Sequence, residues 1–173
     1  MASKQLGLMS VEEYDPAVSV KSVKGSTLPV GRDLSDKEIR RLFAVCEADP
    51  ASAGVRDAAL FGILRIRLRV TEIAELTRAD FDPAKKRLTV QGKGNKERLV
   101  PIAGGSLQAL SDWLMVRGNG SGPLFYAINK GGRIIEQGIT RQAIFKICSK
   151  RAIEAKIPIS HPTLSSGRLS GIC

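Results

Sequence analysis

Apolar positions change their spacing more than once along this chain, and the changes mark out its elements. From Leu34 onward, Ile39, Leu42 and Phe43 recur at helical intervals. Ser35 can cap that helix with Glu38 three residues on, Leu34 and Ile39 flank it as a hydrophobic staple, and the helix should stop before Asp49-Pro50. A second helix is predicted over roughly Val55 to Leu64. A third should run from about Val70 to Leu76, with Asp80-Phe81-Asp82-Pro83 marking its exit. The period then shortens. Arg87-Leu88-Thr89-Val90 and Arg98-Leu99-Val100-Pro101-Ile102 are β-prone runs on either side of Gly92-Lys93-Gly94-Asn95-Lys96, which spells a hairpin with a glycine-rich turn. Helical spacing returns at Leu107, Leu110, Trp113 and Leu114 and ends at Arg117-Gly118-Asn119-Gly120; Gly122 to Tyr126 is a short extended piece. A last helix, about Thr140 to Ala155, would turn Ile144, Ile147 and Cys148 inward and Arg141, Lys146, Lys150 and Arg151 outward. The fold class is therefore mainly α with a small β-hairpin.

Residues 1–33 follow no such pattern. Val20 to Arg32 carries turn formers and scattered cations without a sustained period, as a linker or arm does. With 173 residues, 43% of them hydrophobic and 25% charged, the chain has the size of one domain with a packed core. Its longest apolar run, Ala58 to Leu64, is far too short for a bilayer, and its first residues lack the layout of a signal peptide, so no membrane partner and a cytoplasmic location are expected. Cys46, Cys148 and Cys173 form neither a metal-ligand spacing nor an even disulfide set. The formal net charge of +10 and a pI near 9.9 point to a polyanionic partner without choosing between DNA and RNA.

Two segments concentrate the chemistry. Residues 85–98 hold Lys85, Lys86, Arg87, Lys93, Lys96 and Arg98 against Glu97 alone. Such a cluster is either a solvated hairpin tip or a β-ribbon lying along a phosphate backbone, whose binding would weaken steeply with salt. In Arg65 to Glu72, the positions Arg69, Glu72, Ile73 and Leu76 fall on one helix face. Arg69 and Glu72 there form either a structural ion pair or a guanidinium aimed at a phosphate and held by the carboxylate. Only 5% of residues are aromatic, which gives single-stranded RNA little to stack on.

Three blocks together resemble the tyrosine recombinases, or phage-type integrases. Leu68-Arg69-Val70-Thr71-Glu72-Ile73-Ala74-Glu75-Leu76, followed by Asp80, is similar to the family's Gly-Leu-Arg-x-x-Glu-apolar-x-x-Leu-x-x-x-Asp box. Gly92-Lys93-Gly94-Asn95-Lys96-Glu97-Arg98-Leu99-Val100-Pro101 is similar to its Gly-Lys-Gly-x-Lys-x-Arg-x-Val-Pro hairpin, and Leu34 to Ile39 to the entry into its catalytic domain. The resemblance places residues 34–159 in a partial catalytic domain, with 1–33 as an arm or linker and 160–173 as an aberrant tail. It implies phosphoryl transfer with no metal or other cofactor and no small-molecule substrate, on double-stranded DNA, together with other recombinase protomers. Arg69 matches the first phosphate-stabilising arginine, Lys93 the general acid for the 5′-oxygen, and Glu72 the buried acid that orients the arginine. Lys85, Lys86, Lys96 and Arg98 would contact the DNA backbone.

The chain also departs from the family pattern. Arg67 stands where the family has glycine. Ser160-His161-Pro162-Thr163-Leu164-Ser165-Ser166 stands where a His- and Arg-bearing box belongs, with His161 one place early and a serine at the second arginine. No residue matches the nucleophilic tyrosine, Tyr14 and Tyr126 included. The expectation is a recombinase fragment unable to cleave by itself, with a frameshifted remnant after Pro158; the alternative is a non-catalytic DNA-binding module derived from a recombinase.

Overall fold

The structure, a computed structural model, describes residues 34–157 except 93 and 95. The first helix, α1 (Asp36–Glu47), starts as its cap predicts. Ser35 Oγ accepts the Glu38 N–H at 3.4 Å, and the Glu38 carboxylate accepts the Ser35 N–H at 2.9 Å. Leu42 and Cys46 are buried and Phe43 packs partly against the core. Helix α2 (Ser52–Arg65) begins earlier than the apolar spacing predicts, because its first turn is Ser52-Ala53-Gly54 and carries no large apolar side chain. Gly54 is required there: a Cβ would overlap the carbonyl oxygens of Asp49 and Cys46, so the α1–α2 corner closes only around glycine.

Helix α2 is the central element. Ala59, Leu60, Phe61, Ile63 and Leu64 are all buried, and α4 (Gly104–Arg117) crosses closely enough that a Cβ on Gly62 would lie 3.1 Å from Ser106 Cα. Short α3 (Val70–Glu75) leads into a 3₁₀ turn (Arg78–Asp80), where the Asp80 carboxylate accepts the Thr77 N–H and hydroxyl, each at 2.7 Å. The chain then forms a three-stranded antiparallel sheet ordered β1 (Phe81–Asp82), β2 (Arg87–Gln91), β3 (Glu97–Pro101). The expected hairpin is thus present, but residues 81–82 are a third strand rather than a plain helix exit. Two residues cannot display a period; what makes them a strand is buried Phe81 opposite buried Leu88.

A second hairpin, β4 (Tyr126–Ile128) and β5 (Ile134–Gly138), replaces the single extended piece expected at 122–126. Its returning strand, Ile134-Ile135-Glu136-Gln137-Gly138, is largely exposed and lacks alternation, so the sequence pattern could not mark it. The preceding loop is held by Arg117, which donates to the carbonyls of Gly118, Gly120 and Pro123 at 2.6–3.0 Å and lies 4.4 Å over the Tyr126 ring. Trp113 Nε1 donates to Leu124 O at 2.9 Å from the centre of the core.

The last helix, α5 (Arg141–Glu154), is capped by Thr140 Oγ1 and buries Ile144 and Cys148 as expected. Arg151 corrects the helical-wheel reading: it points inward and is 2% exposed. Its guanidinium donates to Asp57 at 2.8 Å, Asp49 at 2.5 Å and Glu154 at 3.0 Å, and Asp57 also accepts from Arg56 at 2.7 Å. Partners from α2 and from the α1–α2 corner neutralise an arginine that a wheel assigns to solvent.

Candidate functional site

The turn from α2 to α3 presents the site. Ile66 and Arg67 close the end of α2 with N–H bonds to Ile63 O and Leu64 O, and Arg67 adopts φ 64, the left-handed region that an L side chain enters at a cost. Beyond Leu68 the chain is extended at Arg69. Successive side chains alternate: Leu68 and Val70 enter the core, and Arg69 between them is left outside, its side chain 49% exposed. Arg69 is therefore the N-cap of α3 and not a member of its buried face, which differs from the shared-face expectation. Ile73, Leu76 and Glu72 do lie inward.

Glu72 is the pivot, its side chain only 6% exposed. Its Oε2 accepts the Arg69 backbone N–H at 2.8 Å, the return half of a capping box. Arg98, reaching from β3, grips both carboxylate oxygens: Nη1 to Oε1 at 3.0 Å and Nη2 to Oε2 at 2.8 Å. The Arg69 guanidinium approaches the same carboxylate more loosely, at 3.7 Å. Burial pushes the Glu72 carboxyl up, but the Arg98 fork, the Arg69 N–H and the charges of both arginines outweigh it and hold the carboxyl below its usual range. The Glu72 carboxylate in turn raises Arg98, against a smaller opposing effect of burial. Two guanidiniums thus share one carboxylate, leaving a surplus positive charge; both are partly exposed, but Arg98 spends donors on both Glu72 oxygens whereas Arg69 approaches only at 3.7 Å.

The hairpin brings its own cations near this point. Val90 and Arg98 are directly opposite in the β2–β3 register, so Arg98 takes the core-facing side of β3 at its outer end. The Gly92 N–H donates to Lys96 O at 2.7 Å, closing the turn, and Lys96 is exposed. Lys93 lies outside the described residues, as do Tyr14 and His161 with the segments that hold them. Lys85 and Lys86 are exposed at the other end of the ribbon, roughly 15–20 Å from the turn by strand rise. Lys85 stands 3.9 Å from Asp82. The structure thus joins Arg69, Glu72 and Arg98, puts Lys96 at the hairpin turn, and sets Lys85 and Lys86 apart from them.

Arg98's part in the carboxylate pair escaped the sequence reading, which grouped it with the exposed cations. A signal was present: a charged residue on the inward side of a strand needs a buried partner of opposite sign. Tyr126 has no access to a substrate. It is buried in β4, its hydroxyl donating to Ser121 O and accepting from Arg117, each at 3.2 Å. Among the described residues no cluster of His, Cys, Asp or Glu is placed to hold a metal ion, and no helix is long and apolar enough to cross a membrane.

Comparison with known proteins yields one consistent match. The family model described as "Phage integrase family" matches residues 32–168. The curated tyrosine recombinase XerC of Actinobacillus pleuropneumoniae is 35% identical over 130 residues, covering 72% of this chain and 41% of that protein. The chain therefore spans about two fifths of this relative's length. Among solved structures, XerA recombinase superimposes with a TM-score of 0.60 at 21% identity, over 92% of this chain and 56% of that one. XerH site-specific recombinase, bound to its difH substrate in a pre-cleavage complex, gives 0.59 at 17% identity, over 85% and 43%.

Proposed function

This chain belongs to the phage integrase family of tyrosine recombinases, and on that premise we propose that it binds the backbone of double-stranded DNA and serves DNA integration and site-specific recombination, in the cytoplasm and alongside other recombinase protomers. One observation carries this reading: a half-exposed arginine at a helix start, braced by a buried carboxylate that a second arginine ties to a basic hairpin. A guanidinium so placed offers parallel N–H donors to two non-bridging phosphate oxygens and opposes the charge that builds on phosphorus when a fifth oxygen bonds to it. Lys93 follows Gly92 in the sequence, and in this reading it delivers the proton that the departing 5′-oxygen needs. Glu72 orients Arg69 through the backbone bond at 2.8 Å and the charge contact at 3.7 Å. No described residue is assigned as nucleophile.

A non-catalytic DNA-binding module is the second reading, and burial of Tyr126 favours it for the described residues, since Tyr126 is the single tyrosine among them. The test has two steps. Fluorescence anisotropy on a labelled duplex should show binding that unlabelled duplex displaces better than structured RNA, and Arg69→Lys should weaken it by replacing the fork with a point charge. RNA competing as well as DNA would sink both readings. A nicked suicide substrate then separates them: covalent capture of DNA supports strand transfer by this chain, and binding without capture supports the module.

A further inference from the structure

Glu72 is a trap for whichever guanidinium comes nearest, and Arg69 is the nearest in sequence. A carboxylate this buried requires a closely paired cation. If Arg69 alone supplied it, Arg69 would close the present 3.7 Å gap, fold its fork onto Glu72 and lose the donors that an incoming anion needs. Arg98 already occupies both carboxylate oxygens, at 3.0 and 2.8 Å, and comes from an element 26 positions away. The Arg69 backbone N–H completes the set on Oε2. Among the described residues, every short hydrogen bond to the Glu72 carboxylate thus comes from Arg98 or from backbone, and the Arg69 side chain stays half exposed.

We propose that Arg98 is a positioning residue that saturates Glu72 and so keeps the Arg69 guanidinium free for a phosphate; this rests on the reading of Arg69 as a phosphate ligand. Arg98 on this account touches no substrate. It acts through Glu72, and the same bidentate bond seats the hairpin beside the start of α3. A direct phosphate contact by Arg98 is the competing account, since its side chain is itself 44% exposed. The two accounts predict opposite behaviour when Glu72 is neutralised. With Arg98 removed, a neutral residue 72 no longer traps Arg69, so binding should return. Glu72→Gln is suited to this because a glutamine oxygen can still accept the Arg69 N–H and preserve the cap.

The experiment uses the full chain and reads affinity for a short duplex together with the Nε–H signal of the Arg69 guanidinium in NMR spectra, titrated with inorganic phosphate. Arg98→Ala should weaken duplex binding about tenfold, the scale of one charged hydrogen bond, and leave the Arg69 signal insensitive to phosphate. Arg98→Ala with Glu72→Gln should recover most of that loss and restore the response. Arg98→Lys keeps a charge on Glu72, so it carries the test if the alanine variant fails to fold, and should bind within about threefold of the parent, since a lysine still pairs with the carboxylate. No recovery in the double variant, or a loss in Arg98→Lys as large as in Arg98→Ala, would overturn the proposal in favour of direct contact. If the parent chain fails to bind duplex at all, the DNA reading falls; the phosphate response of Arg69 across the same variants still decides whether Arg98 frees it.

Discussion

Arg67 shows how one residue records a departure from the family and its energetic consequence. The resemblance puts glycine at this position, and the backbone explains why: φ is 64, and the turn from α2 must pass through the left-handed region to deliver Leu68 and Val70 to the core with Arg69 outside. An arginine held there costs roughly 1 kcal/mol or somewhat more, since its Cβ crowds the following carbonyl. The side chain is exposed and makes no hydrogen bond or ion pair among the described residues that would offset the strain. Arg67→Gly should therefore raise stability by up to about 1 kcal/mol, the gain reduced by the extra freedom glycine gives the unfolded chain. A higher urea midpoint with an unchanged slope is the expected result, whereas β-branched Arg67→Val should lower the midpoint. An unchanged or lower midpoint for the glycine variant would mean that the arginine side chain contributes something that exceeds the strain.

At the level of elements, what the sequence made legible was whatever local chemistry specifies. The start of α1 was readable because Ser35 and Glu38 cap it within four residues, and the β2–β3 hairpin because glycines and β-prone runs adjoin. Strand β1, with two residues, and β5, with polar exposed ones, depend on partners and left no periodic trace. The wheel misplaces Arg151 for the same reason: its carboxylate partners, buried Asp57 and partly buried Asp49, lie 94 and 102 positions earlier. In the site, Arg69 and Glu72 were visible as neighbours in sequence, and the Arg98 bond to Glu72 was not. The Arg151 cluster joins α5 to α2 and to the α1–α2 corner, so Arg151→Met should destabilise the domain by about 3–5 kcal/mol, leaving Asp57 with Arg56 alone. It should also flatten the acid limb. Hydrogen bonding from Arg151, against the opposing effect of burial, holds Asp49 below its ordinary 3.8. A carboxyl lowered in this way stabilises the fold above its unfolded value, and that contribution is lost as pH falls through the folded one. Urea melts of parent and variant between pH 7 and pH 2 would show the two stabilities converging at low pH; parallel curves would contradict the assignment.

Across the whole molecule, the charge of +10 is unevenly useful. Arg56, Arg117 and Arg151 are buried in structural networks, and Arg98 is paired with Glu72, so none of these four is free to meet a polyanion. The exposed cations of the ribbon lie at its two ends, Lys96 at the turn and Lys85 and Lys86 at the opposite corner, a separation that matches several phosphates along one strand. Long-range attraction depends on the sum of charge, whereas the salt dependence of a bound complex counts only cations that replace counterions on phosphates. The logarithm of the duplex association constant should therefore fall linearly with the logarithm of salt, and substitutions should divide by position. Lys96→Ala and Lys86→Ala should each reduce the slope by about 1. Lys85→Ala should reduce it by less, because Asp82 stands 3.9 Å from its ammonium and already supplies a partner. Arg98→Ala should leave the slope nearly as Arg69→Ala leaves it, since both variants cost the same phosphate contact. Salt titrations of the parent and the five variants by anisotropy would test the set together; equal reductions from all five substitutions would mean that net charge alone, and not the placement of these side chains, governs binding.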